Sequence, residues 1–294
     1  MKTALHSVSY SGLWKGQASL SLEQFVAKAA KLGFDGVELM AKRPHASILD
    51  MDEARTKVVR SLLDENNIKC AAIAGYTNFT GGAEKGEVPF REMQIEHVGN
   101  LAKLAHNLGG NIVRIFTGYE RLDTAYSVQW EWCVSSIKEC AKRAAEYGVV
   151  IGIQNHHDIG VNVHQLKDLL LEIDEPNCRA MFDAWAPAMQ GDDLKEVIKV
   201  IADLTVYTTV ADYIRYQRYN YNCNLINYEK ANSLVKAVPV GQGFIDYQKF
   251  LHALKNSGFD GYVAYEMCSP VRGGGSEKNL DYYAGEFLDY MKQF

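Results

Sequence analysis

One unit recurs along this chain and constrains it more than any other feature: a helical apolar stripe that runs into a short apolar strand. In residues 21–40, Phe25, Val26, Ala29, Ala30 and Leu32 make a helical face. Ser21 with Gln24 reads as a capping box, Gly33 stops the helix, and Gly36–Met40 reads as a strand. The same order returns in residues 97–118, 135–155, 194–210 and 247–267. Gly33-Phe34-Asp35-Gly36 is matched by Gly258-Phe259-Asp260-Gly261, and the strands that follow reach Glu38 and Glu266, a weak internal repeat.

Strand candidates fall at 3–9, 36–40, 69–75, 111–116, 149–154, 178–183, 205–211 and 261–266, with helices between them. Strands separated by helices pair in parallel through right-handed crossovers. Eight such units in 294 residues predict one α/β domain over 1–294, a single (β/α)8 TIM barrel, rather than an open doubly wound sheet. No GxGxxG follows the first strand, which speaks against a dinucleotide fold. The Tyr-rich stretch 212–228 reads as one long irregular loop after strand seven, a lid or an oligomer contact.

The formal net charge is −5 and no Lys/Arg run occurs, which argues against nucleic acid as a partner. No stretch approaches the ~18 apolar residues of a membrane span, and the N-terminus lacks the apolar core of a signal peptide. The six cysteines are scattered without a CxxC pair and read as reduced, mostly buried thiols of a cytoplasmic protein.

A barrel places its chemistry at the C-terminal ends of its strands. Period-two alternation sorts each strand into two faces. In "VVIGIQNHHDIG" the apolar Val149, Ile151 and Ile153 face the helices, so Gln154 and His156 point inward, while His157 and Asp158 begin a loop. The same reading turns Asp183, Glu266, Arg114, His6 and Glu38 inward, with Arg179 deeper. That convergence exceeds ordinary core filling. Two carboxylates and an imidazole suit a divalent metal or proton transfer beside a carbonyl. Plainer roles exist for each: Asp183 closing the turn of "DAWAP", Glu266 ion-paired with Arg114, His156 or His157 bonded to a neighbouring loop. Trp185 and Trp14 offer aromatic faces for a sugar ring. Arg272, Gly273–Gly275 and Ser276 lead into a helix N-terminus that suits a phosphate or carboxylate, unless Ser276 is simply its cap.

The stretches "LGFDGVEL", "YGVVIGIQNHHDIG", "NCRAMFDAWAP", "VYTTVADY", "VPVGQGFIDY" and "GYVAYEMCSP" together resemble the xylose-isomerase-like TIM barrels, over nearly the whole chain. That family includes sugar and sugar-phosphate isomerases and epimerases, inosose dehydratases and endonuclease IV. The resemblance implies a Mn²⁺-like ion held by a Glu ending strand five, an Asp ending strand six, a His on strand seven and a Glu ending strand eight, the two glutamates moving the proton. Asp183 and Glu266 match; Gln154 and Thr209 replace the other Glu and the His. Asp212 is kept from an "HxKD"-like motif, Ala211 replaces its Lys, and Ala186 replaces a further His.

Gln154 has no basic group, and a set of Asp183, Glu266 and Gln154 with Thr209 binds Mn, Zn or Mg weakly. His156 or His157 therefore becomes the candidate acid/base beside Glu266, with Arg114 as the group that polarises the carbonyl. A second arrangement lets the histidine pair restore metal binding with Asp183 and Glu266. Gln154, Asp183, Trp185, His6 and Arg272 are the candidate substrate contacts. The expected function is an isomerase or epimerase acting on a keto-sugar or oxidised glycoside. The alternatives are a lyase or dehydratase and a non-catalytic sugar-binding barrel or subunit of a complex. An endonuclease-like role is opposed by the acidic balance and by too few histidines. The expected partner is a small sugar, with no nucleic acid and no membrane, and homo-oligomers are in keeping with the family resemblance.

Overall fold

The computed structural model describes residues 1–82 and 88–294. Its strands are β1 (Lys2–His6), β2 (Gly36–Met40), β3 (Lys69–Ala74), β4 (Ile112–Ile115), β5 (Val150–Gln154), β6 (Cys178–Met181), β7 (Thr205–Val210), β8 (Asp212–Asn222), β9 (Asn227–Val238) and β10 (Tyr262–Tyr265). All but β8 and β9 pair in parallel in the order β1-β2-β3-β4-β5-β6-β7-β10, and β10 closes the ring on β1. The predicted (β/α)8 barrel is therefore observed, and each strand lies within or against its predicted range.

The α-helices are α1 (Leu22–Leu32), α2 (Glu53–Glu65), α3 (Phe90–Asn107), α4 (Tyr126–Ala145), α5 (Val163–Ile173), α6 (Trp185–Gln190), α7 (Leu194–Ile201), α8 (Tyr247–Asn256) and α9 (Glu277–Met291). Among the described residues, six of these nine start at a side-chain cap; α3, α4 and α6 start without one. At α1 the Ser21 hydroxyl accepts from the Gln24 N–H at 3.2 Å, and the Gln24 side chain accepts from the Ser21 N–H at 2.9 Å. Gly33 closes the helix at φ +98°, a left-handed turn that a side chain would strain.

Two cores result. The outer one packs outward-facing strand residues such as Leu5, Val37, Ile151 and Val263 against the helices. The inner one fills the barrel with Ala4, Ala72, Ile112, Met181, Tyr207 and Ala264. The inner set is the one that period-two alternation predicted for β1, β6 and β10. Small residues on neighbouring strands leave the centre to a few long side chains.

The stretch 212–228 is not an irregular loop. Residues 212–222 form β8, which pairs antiparallel with β9 as a two-stranded ribbon outside the barrel sheet. The physical reason is pattern: its Tyr residues alternate with polar ones, which suits a strand, and the partner strand begins only at Asn227. Tyr216, Tyr219, Tyr221 and Tyr228 are exposed along the ribbon.

Asp212 anchors its base. The carboxylate accepts from the backbone N–H groups of Gly241 (2.9 Å), Gly243 (2.8 Å) and Ile245 (3.4 Å), and from its own neighbour Tyr213 (2.8 Å). A Cβ at Gly243 would overlap that carboxylate. The retained Asp212 thus serves the architecture.

The glycine-rich segment is also tied into the fold. Gly275 accepts from the Ala18 N–H at 2.7 Å, and Asn279 donates to the carbonyls of Arg272 (3.0 Å) and Gly274 (2.7 Å). Ser276 caps α9 by accepting from the Asn279 N–H. All six cysteines are free; Cys70, Cys133, Cys140 and Cys178 are buried, while Cys223 is exposed at the ribbon tip. No helix among the described residues is long and apolar enough to cross a membrane.

Removing the Asp212 carboxylate orphans three N–H groups of the 241–245 turn. Asp212→Ala should cost about 2–4 kcal/mol of unfolding free energy in urea, the cost of several charge-assisted hydrogen bonds. An unchanged denaturation midpoint would show that the turn holds itself.

Candidate active site

The site is organised by Arg114, which β4 directs into the barrel and which is 1% exposed. Its guanidinium carbon lies 4.3 Å from the ring centre of Phe116 and 4.9 Å from that of Tyr76. Nη1 donates to Gln154 Oε1 at 2.9 Å. Arginine only donates, so the Gln154 amide must turn its oxygen to Arg114 and its nitrogen away. That nitrogen donates to Asp183 Oδ2 at 2.9 Å and to Thr209 Oγ1 at 3.0 Å.

Asp183 is fixed from two more directions. Its Oδ1 accepts from the Trp185 N–H at 3.0 Å. The Asn155 side chain bridges its backbone, accepting from the Asp183 N–H at 2.8 Å and donating to its carbonyl at 3.0 Å. Burial pushes the Asp183 carboxyl up to about 6, against the lowering effect of the Gln154 and Trp185 hydrogen bonds.

Glu266, just past β10, shares with Gln154, His156, Asp183, Trp185 and Cys268 the wall of a narrow pocket of about 20 Å³. Burial raises its carboxyl, while Arg114, Cys268 and Lys42 oppose that rise. Tyr213 stacks on Trp185 at 4.6 Å and continues the pocket wall from the foot of the ribbon. The Trp185 indole Nε1 is buried without a hydrogen-bond partner. A larger groove between α2 and α3 lies outside the barrel and holds none of these groups.

The two histidines separate in role. His156 lines the pocket, and its Nδ1 accepts from the His157 N–H at 2.9 Å. That leaves Nε2 as the nitrogen available to a ligand. His157 sits at φ +70° and stacks on Tyr119 (4.1 Å) and Phe116 (4.3 Å), in the wall beside the pocket. Burial is the main force lowering both to about 4; Arg114 adds to it, as His156 does for His157. Both rings are neutral at pH 7.

His6 and Glu38 are buried near Arg114, outside the pocket lining. The His6 Nδ1 accepts from the Val8 N–H at 3.0 Å, and its Nε2 lies 3.6 Å from Glu38 Oε1. Glu38 also lies 3.7 Å from Arg114 Nε, beyond hydrogen-bond reach. Burial pushes the Glu38 carboxyl up to about 8 despite Arg114, with Glu266 adding to the rise. His6, expected as a substrate contact, is fully buried outside the pocket lining. Arg272, the other outlying expectation, is exposed beside the structural glycine turn and does not line the pocket either.

Lys42 went unread in the sequence. It continues the inward alternation of Glu38 and Met40 past the end of β2, so that parity carried the signal. Its ammonium lies 3.7 Å from the centre of the Tyr76 ring. Burial, then Arg114, lowers its pKa, and Glu266 opposes both. Tyr213 and Cys268 were also missed, because strand alternation does not reach the ribbon or the loop after β10.

The expected metal set of Asp183, Glu266 and Gln154 does not fit a divalent ion. The Gln154 oxygen is turned to Arg114, and its N–H groups occupy the side of Asp183 that an ion would need. Thr209 is a neutral hydroxyl that accepts from the same amide. Neither histidine joins the two carboxylates: among the described residues no three His, Cys, Asp or Glu side chains stand where they could share an ion.

The chain belongs to the xylose isomerase-like TIM barrel family, whose model matches residues 26–293. It is 19% identical to a fructoselysine 3-epimerase of Escherichia coli O157:H7 over 260 residues, covering 86% of this chain and 87% of that protein. The structure superposes on a D-psicose 3-epimerase from Clostridium cellulolyticum H10, determined with D-tagatose, at TM-score 0.75 and 18% identity, covering 100% of this chain and 99% of the other. A probable 3-DHS dehydratase from Bacillus anthracis gives TM-score 0.74 at 17% identity, with 99% of each chain covered.

The raised Glu38 carboxyl makes a signed prediction. The folded state holds this proton more tightly than the unfolded chain, so its contribution is full below the unfolded value of 4.5 and is lost as pH rises towards about 8. Across that window wild type should lose stability relative to Glu38→Gln. Parallel curves of unfolding free energy against pH would refute the assignment.

Proposed function

We propose that this protein is a sugar epimerase or isomerase that moves a proton at the carbon beside the carbonyl of a keto-sugar or an oxidised glycoside. The observation that carries this reading is that Glu266 and His156 line one pocket together with Asp183, which Gln154 holds in place. The relatives named for 3-epimerisation support the same class of reaction.

The roles follow from the hydrogen bonds. Neutral His156 accepts from the His157 N–H on Nδ1, so its own proton sits on Nε2 and His156 acts as a donor. The Glu266 carboxylate removes the proton from the carbon beside the carbonyl. The C–H electron pair becomes the C=C bond of an enediolate, and the carbonyl oxygen takes the charge and accepts a hydrogen bond from His156 Nε2. Glu266 then returns the proton to the enediolate, which regenerates the carboxylate, and return to the opposite face gives the epimer. Asp183 accepts from a sugar hydroxyl, the unpartnered Trp185 N–H donates to another, and the Trp185–Tyr213 wall packs against the ring. A lyase of the dehydratase kind is the second reading. It needs only one base, and the presence of Gln154 where a second carboxylate is expected favours it.

The test is deuterium uptake from D₂O into a panel of keto-sugars and 3-keto-glycosides, with products identified by NMR. Wild type should exchange the proton beside the carbonyl. Glu266→Gln and His156→Asn should each slow exchange by about 100-fold or more, as expected for loss of the base or of a donor to the developing charge. Loss of water in place of inversion would select the lyase. Saturable sugar binding with no exchange and no elimination would leave a binding barrel.

A further inference from the structure

The resemblance implies an ion at the point where this chain places an arginine, an amide and a hydroxyl. The amide's orientation is forced, since Arg114 has no acceptor to offer. Its N–H groups therefore present positive dipoles to Asp183 and Thr209, as a cation would. The charge behind that amide is poorly neutralised. Arg114 Nε and both Glu38 oxygens are buried without hydrogen-bond partners, and the two side chains come no closer than 3.7 Å. Glu38, with its raised carboxyl, is in part protonated at neutral pH.

A second cation stands beside the first. Lys42 and Arg114 approach the same Tyr76 ring, at 3.7 Å and 4.9 Å. Cations on one aromatic ring are held by its quadrupole while repelling one another. Lys42 senses the Glu266 charge, yet among the described residues it makes no ion pair within 4.0 Å. Two fixed cations thus lie beside the pocket that holds Asp183 and Glu266, and no carboxylate closes on Lys42.

We propose that Lys42 and Arg114 supply the positive charge that a divalent ion would otherwise bring, so that the site polarises its substrate without a metal. Lys42 donates to the carbonyl oxygen of the substrate. Arg114 acts through Gln154, a positioning residue that holds Asp183 towards the sugar. As the C–H bond breaks, its electron pair forms the C=C bond and the oxygen becomes anionic under the Lys42 ammonium, which needs no redox partner. This rests on the proton-transfer reading above, and the experiment separates the two.

Protein stripped with a chelator and returned to excess Mn²⁺, Zn²⁺ or Mg²⁺ is assayed for bound metal and for melting temperature. Wild type should retain less than ~0.1 ion per chain and melt unchanged, whereas Gln154→Glu/Thr209→His should take up about one ion and melt higher, because binding to the folded state alone stabilises it. Exchange into the keto-sugars should proceed unaltered in EDTA. Lys42→Met should lower the exchange rate by about 100-fold with KM little changed, and Lys42→Arg should recover part of it. A stoichiometric ion in wild type that is lost in Asp183→Ala would overturn the proposal. So would exchange that EDTA abolishes and Mn²⁺ restores, or exchange indifferent to Lys42→Met in a normally melting variant; in either case the proton-transfer reading would survive. If no keto-sugar exchanges, that reading falls and takes the role of Lys42 with it, whereas saturable metal uptake by wild type overturns the metal-free site whether or not exchange is seen.

Discussion

The guanidinium of Arg114, buried at the centre of the barrel, is the interaction on which the rest of the site depends. A charge in that place demands acceptors, and it finds the Gln154 oxygen at 2.9 Å and two aromatic faces. Its demand fixes the Gln154 amide, and the amide fixes Asp183. Its field also reaches His6, His156 and His157, where it reinforces burial in keeping the imidazoles neutral. A glutamate at position 154 would close a buried ion pair with Arg114 and free the side of Asp183 now taken by the amide. One residue type therefore decides whether this mouth is an acceptor-rich cup or one lined by donors.

Much of this could be read from residue order. A strand has a period of two, so once Ile151 and Ile153 are assigned to the helices, Gln154 must face inward. The same parity placed Asp183, Glu266, Arg114, Glu38 and His6, since each lies in or next to a regular strand of the closed ring. Alternation is a property of backbone geometry and survives changes of side chain. The eightfold fold was legible for the same reason: each helix-to-strand unit is local, and the caps of most are written within a few residues.

The remainder depended on relations between distant segments. Asp212 was legible only as the kept residue of a motif; its role is set by the backbone of residues 241–245, nearly thirty positions on. Arg272 looked like an anion contact, but Asn279 and Gly275 bind the glycine turn into the fold and leave Arg272 exposed. Alternation turned His156 inward and left His157 in the loop, but which of them meets a ligand depended on the left-handed turn at His157. The metal set failed for a reason that no single position shows: the orientation of one amide, imposed from a neighbouring strand.

The ribbon carries one more consequence. Its foot is Tyr213, which stacks on Trp185, and Arg215 reaches the Ala188 carbonyl of α6. From that foot β8 runs eleven residues, roughly 35 Å at the usual rise of a strand. The strand that carries the exposed Tyr216, Tyr219 and Tyr221 is therefore the same one that sets Tyr213 against Trp185, so a single element spans from solvent to the pocket wall.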